Sequence, residues 1–145
     1  MSAEENKAIV RRWTEEGFGE GNLAVADEVG ATDFINHNPV AGQQPGREGL
    51  KAAVAMLRGA FPDLRVQIEN LISEGDKVAL RDTISGTHLG SFAGIPPTGE
   101  QVEVARIAIF RVVDGKIVEH WANTDMLGLM RQLGVIPMPQ KQARE

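Results

Sequence analysis

The chain has 145 residues, 42% of them hydrophobic and 24% charged, and a formal net charge of −5. This length and balance suit one globular domain that buries a core of its own. Acidic and basic residues are interspersed, with no basic stripe to neutralise phosphates, which argues against a nucleic-acid partner.

Ser2 followed by Glu5 has capping-box spacing, and Ile9, Val10 and Trp13 recur at helical intervals, so a first helix is expected to about Gly17. Asn22 is placed to cap a short second helix, "LAVADEV". "DFINHNP" is too short and too polar for a helix and reads as a brief strand stopped by Pro39. "REGLKAAVAMLRGAF" is a third helix with Leu50, Val54 and Leu57 on one face, ended by "PD". From Leu64 the apolar period drops to two. "LRVQIENLI" and "KVALRDTISGTH" read as strands about an "EGD" turn, and the Gly/Pro-rich loop "LGSFAGIPPTG" follows. "QVEVARIAIFRVV" and "KIVEHWANTD" form a hairpin about "DG", and "MLGLMRQLG" closes as a short helix. Helices first and an antiparallel sheet after them give an α+β fold in a single domain, residues 1–137, with a polar tail, 138–145.

No stretch approaches the ~20 apolar residues of a membrane span, and the start "MSAEENKAIVRRW" lacks an apolar signal core. There is no cysteine, so disulfides and thiolate chemistry are excluded. A cytoplasmic protein with no membrane partner is expected.

The hairpin has a computable register. With Asp114 and Gly115 as the turn, Val113 faces Lys116, Phe110 faces Glu119, Ala108 faces Trp121, Arg106 faces Asn123 and Val104 faces Asp125. One face then carries Arg106, Phe110, Glu119, Trp121, Asn123 and Asp125, a polar cluster at one end of an apolar surface, as a cavity would require. The other carries Ile107, Ile109, Val118, His120 and Ala122. No helix is left over to cover that second row, so a homodimer or a dimer of dimers is expected there. A one-residue bulge would take Arg106 off the face of Trp121, Asn123 and Asp125.

"GTHLGSFAGIPPTGEQVEV", "IFRVVDGKIVEHWANTD" and the short helix ending in "LG" resemble the SnoaL-like polyketide cyclases, or ester cyclases, of the nuclear transport factor 2-like superfamily. "DFINHNP" resembles that family's first-strand segment, and the likeness runs from the first helix to "RQLG". The resemblance implies a cone-shaped α+β barrel, with helices packed on a curved antiparallel sheet around a cavity. It implies cofactor-independent aldol ring closure on a small apolar carbonyl compound, with one aspartate as acid/base. That aspartate maps onto Asp125, and a cavity-lining aromatic of the first helix maps onto Trp13. The family's occasional histidine on the preceding strand has no counterpart here, where Arg106 and Arg111 stand, and there is no tyrosine to supply a cavity hydroxyl.

Asp125 also stands where an N-cap of the last helix belongs, and the two roles are compatible. An enolate needs a donor for its oxyanion, for which Asn123, Arg106 and His37 are candidates. Trp121 is read as cavity lining, and Arg81, with Thr83 and Ser85, as facing either pocket or solvent. His120 is expected at an interface or the surface, and His88 in a structural role. The three histidines sit on separate elements without ligand-like spacing, so no metal site is expected. No dinucleotide fingerprint is present either, and no cofactor is expected. Isomerase, dehydratase or epoxide hydrolase chemistry is the alternative within enzymes. Epoxide opening ranks lower because Asp82 is expected to point away from Arg106 and Asp125. A non-catalytic ligand- or protein-binding module is the third reading.

Overall fold

Ser2 Oγ accepts the Glu5 backbone N–H at 3.1 Å, and Glu5 Oε1 accepts the Ser2 N–H at 2.8 Å, so a reciprocal capping box starts α1 (Ala3–Arg12). In the computed structural model, which describes residues 2–40 and 42–137, α1 widens into a π-helical turn, Trp13–Phe18, instead of stopping. Gly17 is what that turn requires, because a Cβ there would lie 2.1 Å from Trp13 Cε3. Next comes α2 (Ala24–Val29). Asn22 serves it through its backbone carbonyl, which accepts the Val25 N–H at 3.1 Å, so the expected side-chain cap is not formed.

The remaining elements are β1 (Gly30–Asn36), α3 (Gly46–Ala60), β2 (Arg65–Glu74), β3 (Lys77–Thr87), β4 (Gln101–Val113), β5 (Lys116–Thr124) and α4 (Met126–Gln132). The strands form one sheet in the order β1-β5-β4-β3-β2. All neighbours are antiparallel except β1, which runs parallel to β5. The edge strand β1 therefore departs from the expected antiparallel pattern. Because β1 and β2 are the two edges, the curved sheet is open and not a closed barrel. Helices cover its inner face, where Val10, Trp13, Val54 and Phe61 meet Leu80, Val104 and Phe110 in one buried core. Among the described residues no helix is long and apolar enough to cross a membrane.

The hairpin turn is Asp114-Gly115, both at positive φ (50° and 79°), and Val113 faces Lys116 as the sequence predicts. Two residues later the predicted register fails. Val112 pairs with Ile117 but Arg111 pairs with Glu119, so Val118 is an extra residue in β5. Every later residue of β5 changes face. His120, Ala122 and Thr124 are opposite Phe110, Ala108 and Arg106, while Trp121 and Asn123 are opposite Ile109 and Ile107 on the outer face.

His120 is thereby driven into the core, 6% exposed, with its ring set edge-on to Phe34 and Phe110 at 5.0 and 5.1 Å between centroids. This reverses its predicted surface position. Burial first, and the nearby Arg106 charge second, push its pKa down from 6.5 to about 3. The folded protein therefore holds His120 neutral where the unfolded chain binds a proton. Stability is whole above about pH 6.5 and is lost progressively as pH falls from there toward about 3. We expect the urea midpoint to drop between about pH 6.5 and pH 5, above the range where carboxylates titrate, and a His120→Leu variant to flatten that slope. An unchanged slope in His120→Leu would show that His120 is not its source.

Candidate active site

Asp82 of β3 and Arg106 of β4 are direct cross-strand partners, and the alternation of both strands turns them to the inner face. Arg106 Nε donates to Asp82 Oδ1 at 3.0 Å and Nη2 to Oδ2 at 2.6 Å, a two-pronged charge-assisted pair. The Asp82 side chain has no solvent exposure and that of Arg106 has 12%. Phe18 lies under the guanidinium, 4.9 Å from ring centroid to Cζ. The π-helical turn puts Phe18 there, a position that simple helical spacing does not point to.

Arg106 and Phe18 belong to the wall of an apolar cavity of about 180 Å³. Its other walls include Phe61 and Leu57 near the end of α3, Val104 of β4, Thr124 of β5, and Met126 and Leu129 of α4. Phe92 closes one side from the glycine-rich loop, bridged to Ile95 across a tight turn with Ala93 and Gly94 at positive φ. Arg106 is the charged residue of this lining. A larger recess of about 780 Å³ lies against the edge strand β2, but its lining is mostly polar and includes Arg11, Glu15, Arg65 and Glu103, none of them buried. The smaller apolar cavity, with one guanidinium in its wall, has the character of a ligand site.

The predicted site residues divide between the two faces of the sheet. Arg106 is in the cavity. Trp13 is buried in the core beside His120, around a small void, and Phe18 takes the lining position expected of it. Arg81 is exposed on the outer face, where its Nε donates to Asn70 Oδ1 at 2.7 Å, so the pocket-facing option is not realised. Trp121 and Asn123 are also on the outer face. His37 stacks on Trp121 with ring centroids 4.6 Å apart, and its Nε2 meets Glu119 Oε1 at 2.7 Å. Glu119 also accepts from Arg111, itself bound to Asp76, and the His37 contact followed by the Arg111 contact holds its pKa below the usual value. This outer network does not meet the cavity.

Asp125 is exposed and caps α4, Oδ1 accepting the Gly128 N–H at 2.9 Å. Its chain neighbours on both sides, Thr124 and Met126, line the cavity, but Asp125 itself is not among the lining residues. Asp82 corrects the sequence reading: it faces inward and holds Arg106. Its burial was hidden because its face depends on the register of three strands, although Val78, Leu80 and Asp82 do alternate. His88 is fully buried and anchors the glycine-rich loop. Its Nδ1 accepts the Thr98 backbone N–H at 3.1 Å, which leaves the ring proton on Nε2. Among the described residues no three His, Cys, Asp or Glu side chains converge as metal ligands would.

An apolar wall with one guanidinium can take up a small molecule that carries a hydrogen-bond acceptor. The SnoaL-like polyketide cyclase family model matches residues 8–133. The aklanonic acid methyl ester cyclase DnrD of Streptomyces peucetius is 33% identical over 133 residues, 87% of this chain and 88% of that protein. The nogalonic acid methyl ester cyclase of Streptomyces nogalater is 29% identical over 119 residues, 81% of this chain and 89% of the relative. Among solved structures, TsrD from Streptomyces laurentii superposes with a TM-score of 0.86 at 31% identity, covering 94% of this chain and 99% of its own. A family match over most of the chain, together with relatives of nearly equal length, settles membership: this chain belongs to the SnoaL-like polyketide cyclases.

Proposed function

We propose that the chain is a cofactor-independent cyclase that closes a ring on a polyketide-type carbonyl ester held in the 180 Å³ cavity. The observation that carries this reading is one guanidinium, fixed by a buried carboxylate, in the wall of an otherwise apolar chamber. In the proposed reaction a base removes a proton from the carbon next to a carbonyl. The resulting enolate attacks a second carbonyl in the same molecule, a C–C bond forms, and the alkoxide takes the proton back. No atom is gained or lost, so no co-reactant is needed. Arg106 is suited to the developing oxyanion: its Nε and Nη2 are held by Asp82, and among the described residues no hydrogen bond engages Nη1.

Asp125 is proposed as the proton carrier. Asp82 has both oxygens committed to Arg106, whereas the Asp125 cap uses Oδ1 alone and its chain neighbours Thr124 and Met126 line the cavity. The geometry raises epoxide opening only in part. Asp82 does pair with Arg106, contrary to the sequence reading, but Asp125 makes no contact with that arginine to complete a carboxylate–arginine–carboxylate set.

The outer face supports a second copy of the chain as partner. Cross-strand pairing lines up Ile72, Ala79, Ile109 and Trp121 in one row, with Ile107 beside it; Ile72, Ile107 and Ile109 are 65%, 57% and 39% exposed. The bulge removes Ala122 from that row and adds Trp121. Light scattering at micromolar concentration is expected to give about twice the chain mass, and an Ile107→Lys/Ile109→Lys variant the monomer mass. A monomeric wild type would end the dimer reading.

Asparagine caps a helix about as well as aspartate, so Asp125→Asn is expected to melt like the wild type. Its turnover of aklanonic acid methyl ester should fall by roughly 10²–10⁴-fold, the worth of a positioned acid/base. Asp125→Ala adds a stability loss of about 1 kcal/mol. Wild-type turnover in Asp125→Asn would leave Asp125 as a cap alone.

A further inference from the structure

Asp82 does more to the cavity than fix an arginine. Arg106 is the charged residue of the cavity wall, and Asp82, fully buried behind it, carries the opposite charge, while Asp125 is exposed to solvent and outside the lining. Around the Arg106–Asp82 pair the wall is mainly apolar, with Phe18, Leu57, Phe61, Val104 and Leu129, and beyond the hydroxyls of Ser85 and Thr124 it offers an ionic ligand little polar compensation. The buried site is therefore electrically neutral while still presenting guanidinium N–H groups. A neutral carbonyl oxygen can accept from Nη1 without adding charge to the chamber. A carboxylate placed at the same point would be the second anion beside one guanidinium, and it would surrender its hydration in order to enter.

We propose that Asp82 is a specificity-determining residue: by neutralising Arg106 within the apolar cavity, it makes the site select neutral carbonyl esters over the corresponding free acids. The proposal rests on the reading of this cavity as the ligand site. A lone buried arginine would do the opposite, being a receptor for carboxylates. The neutral pair thus excludes hydrolysed substrate and acidic metabolites of similar shape, and does so without a steric filter.

The test uses two probes of one skeleton, 2-naphthoate, which is anionic at neutral pH, and its methyl ester, which is not. Each is titrated against the full-length protein, Asp82→Asn and Asp82→Leu/Arg106→Met, and site occupancy is read by NMR from the methyl groups of Leu57, Val104 and Leu129. The wild type is expected to bind the ester about tenfold or more tightly than the acid. In Asp82→Asn the naphthoate affinity should rise about tenfold or more relative to the ester affinity, which abolishes or inverts the preference. The double variant replaces the ion pair by apolar groups, a change that buried pairs often tolerate, and it should keep the preference for ester.

Asp82→Asn with unchanged selectivity, both probes still shifting the cavity methyls, overturns the role of Asp82 and leaves the ligand site standing. If neither probe shifts those methyls in the wild type, the ligand-site reading falls and the proposal with it. Should Asp82→Asn not fold, the double variant decides, because uptake of naphthoate as readily as ester in a cavity with neither charge would contradict selection by neutrality.

Discussion

Val118 is the residue of β5 that β4 leaves unmatched, and the contents of the cavity follow from it. An unbroken ladder from the Asp114-Gly115 turn would point Glu119 at Phe110 and bring Trp121 and Asn123 inside. A carboxylate would then be buried against an aromatic core without a partner, at a cost of several kcal/mol. The bulge turns Glu119 outward to His37 and Arg111, and turns His120, Ala122 and Thr124 inward. Ala122 and Thr124 are small. Thr124, opposite Arg106 and in the cavity wall, and Ala122, opposite Ala108, stand where an amide and an indole would otherwise be, so the same extra residue relieves a buried charge and leaves room on the inner face.

Arg106 and Asp82 then face each other across β3 and β4 in a region with almost no solvent. Taking both charges out of water is expensive, and the two-pronged geometry offsets that only while both partners are present; loss of either would leave an unpaired buried charge, at about 3–5 kcal/mol. The helical layer completes the clamp. Gly17 permits the π-helical turn against Trp13, and the turn delivers Phe18 to the underside of the guanidinium. Phe18 and Asp82 restrict Arg106 from two directions, and among the described residues no hydrogen bond engages its Nη1. A donor held in place beforehand is what an oxyanion formed in an apolar chamber requires.

Much of the fold is legible in the sequence because its signals are local. Ser2 and Glu5 mark the start of α1, and the period-two runs give β2, β3 and β4 to within a residue or two at each end. Asp114-Gly115 gives the hairpin its turn type. What the sequence hides is non-local. Val118 is β-branched, sits in a run of good strand formers and carries no glycine or proline to announce a bulge, so the face of every later residue in β5 is read in reverse. The error passes to the site: Trp121 and Asn123 are assigned to a cavity they do not reach, and His120 to a surface it does not occupy. Asp82 is misplaced for a related reason, since its inward face depends on how β3 registers with β4. Family resemblance supplies the chemistry that the residues alone do not, while the fold decides which residues can take part in it.

The central claim is that the cavity beside the Arg106–Asp82 pair holds the reacting carbonyl. A crystal structure of the protein with a bound planar methyl ester tests this most directly. The account predicts ring atoms between Phe18, Phe61 and Leu129, a carbonyl oxygen within hydrogen-bond distance of Arg106 Nη1, and the two Arg106–Asp82 bonds intact. A ligand seated on the outer face by Trp121 and His37, or one that displaces Asp82 from Arg106, would contradict it.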